Sequence, residues 1–318
     1  MRIFKRQPNF DFMGRRLTAV VISAVVMVVS IVSLATRGLE LGLDFTGGVL
    51  IVVRYGEPAD LESIRGLLAA EGYAGAVVQN FGTATDVQIR LPPTESDSVE
   101  SSTAIEAVSN FADQVVGVLR TADASVERMA ADTVSTQIGE ELIENGGLAM
   151  LFVLVMVFLY IVLRFRWKFA AGANAALVHD VVIVFGFFSL VGLEFNQSVL
   201  AAVLAVIGYS LNDTIVVYDR IRENFRLMRR GTAEAIINTA LNQTLSRTIV
   251  TGLTTLLVLT ALYVLGGETV KGFSLALIVG IVVGTYSSIY IASAAALFLD
   301  VSPMDLVPPK REEIDSMP

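Results

Sequence analysis

Apolar residues gather into six long blocks, Leu17–Ala35, Gly147–Leu163, Phe169–Val191, Val199–Val217, Ile249–Leu265 and Phe273–Leu299. A helix rises 1.5 Å per residue and the hydrocarbon of a bilayer is about 30 Å thick, so each block is predicted to cross a membrane as a helix. The pattern therefore predicts an α-helical polytopic membrane protein with six transmembrane helices. Between the first two blocks lies the long polar stretch Thr36–Asn145, and the later blocks follow one another closely except for a polar connection from Asp219 to Ser246. The expected organisation is an N-terminal arm (1–16), a first span (17–35), a separate domain (36–145), spans two to six (146–299, with a loop at 219–246) and a tail (300–318). The first block is too long for the apolar core of a signal peptide, and no A-x-A-like cleavage site follows it, so it is expected to remain as a span.

Within 36–145 the periodicity changes. Val49–Tyr55 is β-branched and reads as a strand. Asp60–Glu71 has Leu61, Ile64, Leu67 and Leu68 at helical spacing, with Asp60 placed as N-cap. Ala76–Gln79 and Asp86–Leu91 read as strands around a turn at Gly82; Val99–Arg120 is amphipathic, and Ala124–Met129 is a last strand. The order β-α-β-β-α-β predicts a small α+β ferredoxin-like unit.

Composition strengthens the membrane reading. Hydrophobic residues make up 54% of the chain and charged residues 17%, against about a quarter charged in soluble domains. There is no cysteine and one histidine, which excludes disulfides, thiolate sites and multi-histidine metal centres, so no metal and no cofactor is expected. No GxxxxGK[ST] loop is present, and nothing points to an enzyme. The net charge of −8 hides a segregation. Arg2, Lys5, Arg6, Arg15 and Arg16 precede span one; Arg164, Arg166 and Lys168 link spans two and three. Arg220, Arg222, Arg226, Arg229, Arg230 and Arg247 link four and five, and Lys310 and Arg311 lie in the tail. Six crossings put all of these on one side, so both termini are expected in the cytoplasm and Thr36–Asn145 outside it.

Ionisable residues inside a span cost several kcal/mol unless paired or hydrated, which singles out a few positions. Span three carries His179 and Asp180, and span four carries Asn212 and Asp213. Span five opens at Arg247 and continues with Thr251 and Thr255 on the same face. Span six has Gly280 and Gly284 in GxxxG spacing, followed by a row of Ser, Thr and Tyr. GxxxG and hydroxyl rows serve helix packing. Arg247 fits an interfacial anchor as well as a partner for Asp213. His179 and Asp180 fit a structural hydrogen bond, while a metal-phosphohydrolase dyad lacks its further ligands. Asp213 has no basic partner in its own span and sits at a depth similar to Arg247, so a pair across neighbouring helices is geometrically possible.

At these residues the chain resembles a known family. GLELGLDFTGG (Gly38–Gly48) resembles the signature after the first membrane helix of the SecD/SecF family. RFRWKFA (Arg164–Ala170), ALVHD (Ala176–Asp180) and IGYSLNDTIVVYDRIREN (Ile207–Asn224) resemble its SecF branch. So do LNQTLSRTIVTGLTTLLVLTALYVLGG (Leu241–Gly267) and GTYSSIYIAS (Gly284–Ser293). Six spans with a small outer domain match that branch; SecD has a larger outer region, and a fusion of the two would have twelve spans. The domain beyond Gly48 matches weakly.

The resemblance implies an accessory subunit of the Sec protein translocase in a bacterial cytoplasmic (inner) membrane, related to the resistance-nodulation-division transporters. It implies partnership with SecD, the SecY-E-G channel, YajC and the translocating polypeptide, and use of the proton-motive force after ATP-driven pushing by SecA. The family's proton-pathway Asp and Arg map onto Asp213 and Arg247, with His179, Asp180, Asn212, Thr251 and Thr255 as supporting polar residues. Burial favours the protonated carboxyl and a nearby guanidinium the ionised one, so movement of Arg247 would switch proton holding. A half-exporter of small molecules or lipids and a passive translocon scaffold are the alternatives.

Overall fold

The computed structural model describes residues 8–92, 102–228 and 231–301. Arg2, Lys5, Arg6, Arg229, Arg230, Lys310, Arg311, most of the loop expected at Pro92–Ser98 and nearly all of the tail lie outside the described residues.

The chain enters through a single 3₁₀ turn, Met13–Arg15, and α1 (Arg16–Arg37). Then come β1 (Glu40–Leu41), the short α2 (Leu43–Thr46) and β2 (Gly48–Arg54). The interspan unit continues with α3 (Leu61–Ala70), β3 (Val77–Asn80), β4 (Asp86–Leu91), α4 (Ser102–Ala122) and β5 (Glu127–Val134). The remaining elements are α5 (Thr136–Arg164), α6 (Trp167–Val191), β6 (Glu194–Phe195), α7 (Gln197–Leu227), α8 (Ala233–Leu265) and α9 (Glu268–Ser287), closed by a π-helical segment, Ser288–Ala292, and α10 (Ser293–Phe298). Among the described residues, six helical segments are long and apolar enough to cross a membrane, the last running through Glu268–Phe298.

The interspan unit is the ferredoxin-like fold its periodicity predicts. Its sheet runs β3-β4-β2-β5, with every neighbouring pair antiparallel. One face of β2 and β4 (Val49, Ile51, Val53, Val87, Ile89, Leu91) packs with Ile64 and Leu68 of α3 and Val115, Val116 and Leu119 of α4. Asp60 caps α3, its Oδ1 accepting from the Glu62 amide at 3.0 Å. The last strand lies further along than Ala124–Met129: Asp123 to Ser125 form a turn, and pairing with β2 fixes the register from Glu127 to Val134. Gly47 and Gly48 adopt φ of 69° and 115°, backbone open chiefly to glycine, and these angles turn the chain from α2 into β2.

Two differences from the apolar-block reading have a common cause. α5 begins at Thr136, well before Gly147, and α7 and α8 extend through most of the polar connection Asp219–Ser246. That connection is a helical hairpin: Tyr218, Ile221 and Phe225 of α7 meet Ile236, Ile237, Ala240 and Leu241 of α8 in one buried cluster. A one-sided apolar stripe lowers mean hydropathy below the spanning level while keeping the helix amphipathic. Consequently Arg247 lies inside α8 rather than at its opening.

A second, two-stranded sheet ties the domain to the bundle. β1 pairs in parallel with β6, Glu40 opposite Glu194 and Leu41 opposite Phe195, and the Gly42 amide donates to the Phe195 carbonyl at 2.8 Å. Arg90 of β4 pairs with Glu194 at 2.5 Å and Gln79 of β3 donates to the same carboxylate. α2 rests on α5, where a Cβ on Gly139 would collide with the Phe45 carbonyl.

Candidate functional site

Small residues on α9 bring three helices together. A Cβ on Gly280 would collide with Val206 of α7, and one on Gly284 would lie 3.0 Å from Ser210 Cβ. The GxxxG spacing is thus a close-packing device, as the packing reading holds. The approach delivers two hydroxyls to one carboxylate on α6. Ser210 Oγ of α7 donates to Asp180 Oδ2 at 2.6 Å, and Ser287 Oγ of α9 donates to the same oxygen at 2.8 Å. His179 Nδ1 lies 3.0 Å from Asp180 Oδ1, on the same helix. With the carboxylate ionised, Nδ1 carries the proton and donates. Asp180 is 1% exposed and holds α6, α7 and α9 in register.

Asp213, one turn beyond Ser210 on α7, is also buried, at 2% exposure. Its Oδ2 has no hydrogen-bond partner among the described residues. The same holds for Tyr209 Oη and Thr214 Oγ1 beside it on α7, for His179 Nε2 on α6 and for Ser246 Oγ on α8. A buried polar group without a partner costs about 1–3 kcal/mol. Each such group calls for a partner of another kind, such as an ordered water.

Arg247 stands on α8, which packs along α7. Its side chain is exposed and forms no ion pair or hydrogen bond among the described residues, yet its charge is close enough to act on Asp213. The structure brings the two into electrostatic reach without joining them. Asn212 is exposed on the other side of α7 and is not drawn into the cluster, because adjacent helical residues point about 100° apart. Thr251 Oγ1 donates to the Arg247 carbonyl at 3.0 Å and Thr255 Oγ1 to the Thr251 carbonyl at 2.9 Å, so both hydroxyls are engaged by their own helix. The residues that residue-type reasoning did not single out as a site are Ser210 and Ser287. Their signal was present in the spacing, Ser210 three residues before Asp213 and Ser287 three after Gly284. Among the described residues, no three carboxylate or imidazole groups converge as metal ligands.

Comparison with known proteins adds the following. Residues 114–302 match the family model for the protein export membrane protein SecD/SecF, C-terminal, and residues 32–59 match that for the SecD/SecF GG motif. The chain is 46% identical to the protein translocase subunit SecF of Vibrio alginolyticus, over 100% of this chain and 99% of the relative. It is 44% identical to the subunit of the same name from Pseudomonas aeruginosa, over 98% of each. The crystal structure of SecDF, a translocon-associated membrane protein from Thermus thermophilus, superposes with a TM-score of 0.81 at 36% identity. That match covers 93% of this chain and 39% of the solved one. SecDF in a super-membrane-facing form superposes with a TM-score of 0.68 at 37% identity over the same shares.

Proposed function

Because the chain belongs to the SecD/SecF family of protein-export membrane proteins, we propose that it is the SecF-type subunit of the Sec translocase, using the proton-motive force to promote export. The observation that carries this reading is Asp213: buried in the bundle, with one oxygen unpartnered among the described residues and the Arg247 cation within electrostatic reach. Movement of α8 against α7 would change the distance from Arg247 to this carboxyl and, with it, the carboxyl's hold on a proton. A proton entering from one side and leaving to the other thus alternates with movement of α8 against α7. A charge crossing the membrane yields about 2.3 kcal/mol per 100 mV, enough to shift a two-state helix arrangement more than tenfold.

The unit is incomplete alone. Arg247 and Asn212 are exposed at membrane depth, which supports a second helical half covering them, and SecD fits that role. The SecY-E-G channel, YajC and the exported polypeptide are its further partners. The protein resides in the bacterial inner membrane with both termini cytoplasmic and the ferredoxin-like domain outside. The chain lacks cysteine, so a single cysteine at Glu57, between β2 and α3, should react with an impermeant thiol reagent from outside; reaction only from the inner face reverses this orientation.

The mechanism is tested by Asp213→Asn, which keeps shape and removes titration. Export per assembled complex with SecD, measured with and without an uncoupler, should lose its uncoupler-sensitive part. A variant that assembles and still exports in an uncoupler-sensitive way refutes the proton role and leaves a scaffold.

A further inference from the structure

The entry of α1 and the π-helical end of span six enclose a groove of about 440 Å³, lined by Arg15, Thr18, Ala19, Ile22, Tyr286 and Tyr290. Two adjacent arginines stand at its mouth and are used differently. Arg16 pairs with Glu234 of α8 at 2.9 Å and donates to the Met13 carbonyl at 2.8 Å. The Arg15 side chain has no ion pair or hydrogen bond among the described residues, and it is the one charged residue lining the groove. Tyr286 closes the inner wall by donating its phenol to the Ala19 carbonyl at 2.7 Å. Tyr290 lies tilted against Tyr286, their rings 5.1 Å apart, and meets Phe12 edge-on at 6.0 Å, and its phenol has no hydrogen-bond partner among the described residues. Tyr290 stands on the π segment Ser288–Ala292, a widened turn of the kind that collects at functional sites.

The vertical order of chemistry is a cation and a free phenol at the helix entrance, then small and apolar residues deeper in. From there the exposed apolar surface of α1 continues through Val21, Ile22 and Val25. Water does not suit the lower part, and a soluble anion does not need it. An arginine at the hydrocarbon boundary with tyrosines beside it matches the headgroup level of a bilayer. Basic pockets between membrane helices bind anionic headgroups. The geometry points to a site for an anionic phospholipid: its phosphate at Arg15, its glycerol oxygens at Tyr290, and an acyl chain along Ala19, Ile22 and Val25. The site is independent of the proton reading, since it touches neither Asp213 nor Arg247.

Native mass spectrometry of the purified full-length chain, titrated separately with phosphatidylglycerol, phosphatidylcholine and inorganic phosphate, tests it. Phosphatidylglycerol should be retained in preference to phosphatidylcholine, and phosphate should not displace it. Arg15→Gln should weaken phosphatidylglycerol about fivefold, Arg15→Lys should keep most of the affinity, and Tyr290→Phe should weaken it about twofold. Arg37→Gln, at the opposite end of α1, should leave it unchanged. Equal retention of the two lipids, or Arg15→Gln and Tyr290→Phe binding like the unmodified chain, overturns the site. Competition by inorganic phosphate at equal affinity makes it a free-anion site. Loss of the retained lipid when SecD is added assigns the groove to the protein partner instead.

Discussion

Asp180 and Asp213 are equally buried in the same bundle and are treated oppositely. Asp180 receives two serine hydroxyls and an imidazole from its surroundings. Asp213, one helical turn from the serine that serves Asp180, keeps an oxygen with no hydrogen-bond partner among the described residues. A carboxylate that receives hydroxyls from two neighbouring helices holds those helices together. One left short of partners is held by the stability of the fold around it, and such a group is ready to exchange a proton or a neighbour. Two acids of the same type and burial thus differ in their hydrogen bonding alone, and the proposed proton role falls on the one left short.

The comparison is broken most severely at Arg247. Arg247→Ala should reduce the uncoupler-sensitive part of export about tenfold or more, with normal assembly, because Asp213 would lose the cation on α8 that acts on it. Arg247→Lys, keeping charge without the planar fork, should retain an intermediate rate. Asp180→Ala should act on stability instead. It removes three hydrogen-bonding contacts, each worth about 0.5–1.5 kcal/mol, so the yield of folded protein and its unfolding midpoint should fall. An Asp180→Ala protein of normal stability that lost only uncoupler-sensitive export would exchange the two roles. His179→Ala removes one contact and should weaken export less than Asp213→Asn; an equal loss at normal protein level would place His179 on the proton path.

The smallest effect lies outside the bundle. Arg54 Nε lies 2.6 Å from Asp86 Oδ1, and this hydrogen bond holds the Asp86 carboxyl below the usual aspartate range. A depressed acid stabilises the fold above its ordinary pKa, and that contribution is lost as pH falls through the folded value. The full chain should therefore become more sensitive to pepsin in the β2–β4 region as pH falls below the ordinary aspartate pKa of about 4. Asp86→Asn should flatten that dependence, and an unchanged pH profile would remove the pair from the domain's stability.

The fold was legible where one local signal sufficed. Asp60 announced a helix start, alternation gave β4 its limits from Asp86 to Leu91, and uninterrupted apolar runs gave the spans. The hairpin of α7 and α8 was hidden because Ile221, Phe225 and Ile237 form a stripe that averages to polar. β1 and β6 have two residues each and meet across the chain, so no local pattern announces them. At the candidate site, burial of Asp213 followed from its position, and its nearness to Arg247 from the order of the spans. That Asp180 would be satisfied and Asp213 left short followed from neither, since it depends on how far α9 closes on α7 over Gly280 and Gly284.

The parallel pair β1–β6, with Arg90 on Glu194, has a mechanical consequence. A rigid plate held at two points swings freely about the line joining them; a third support removes that swing and makes the plate's tilt follow its supports. The ferredoxin-like plate is supported from α1, from α5 and, through Glu194 and Phe195, from the connector that leads into α7. Any axial travel of α7, the helix that bears Asp213, would thereby tilt the plate with it.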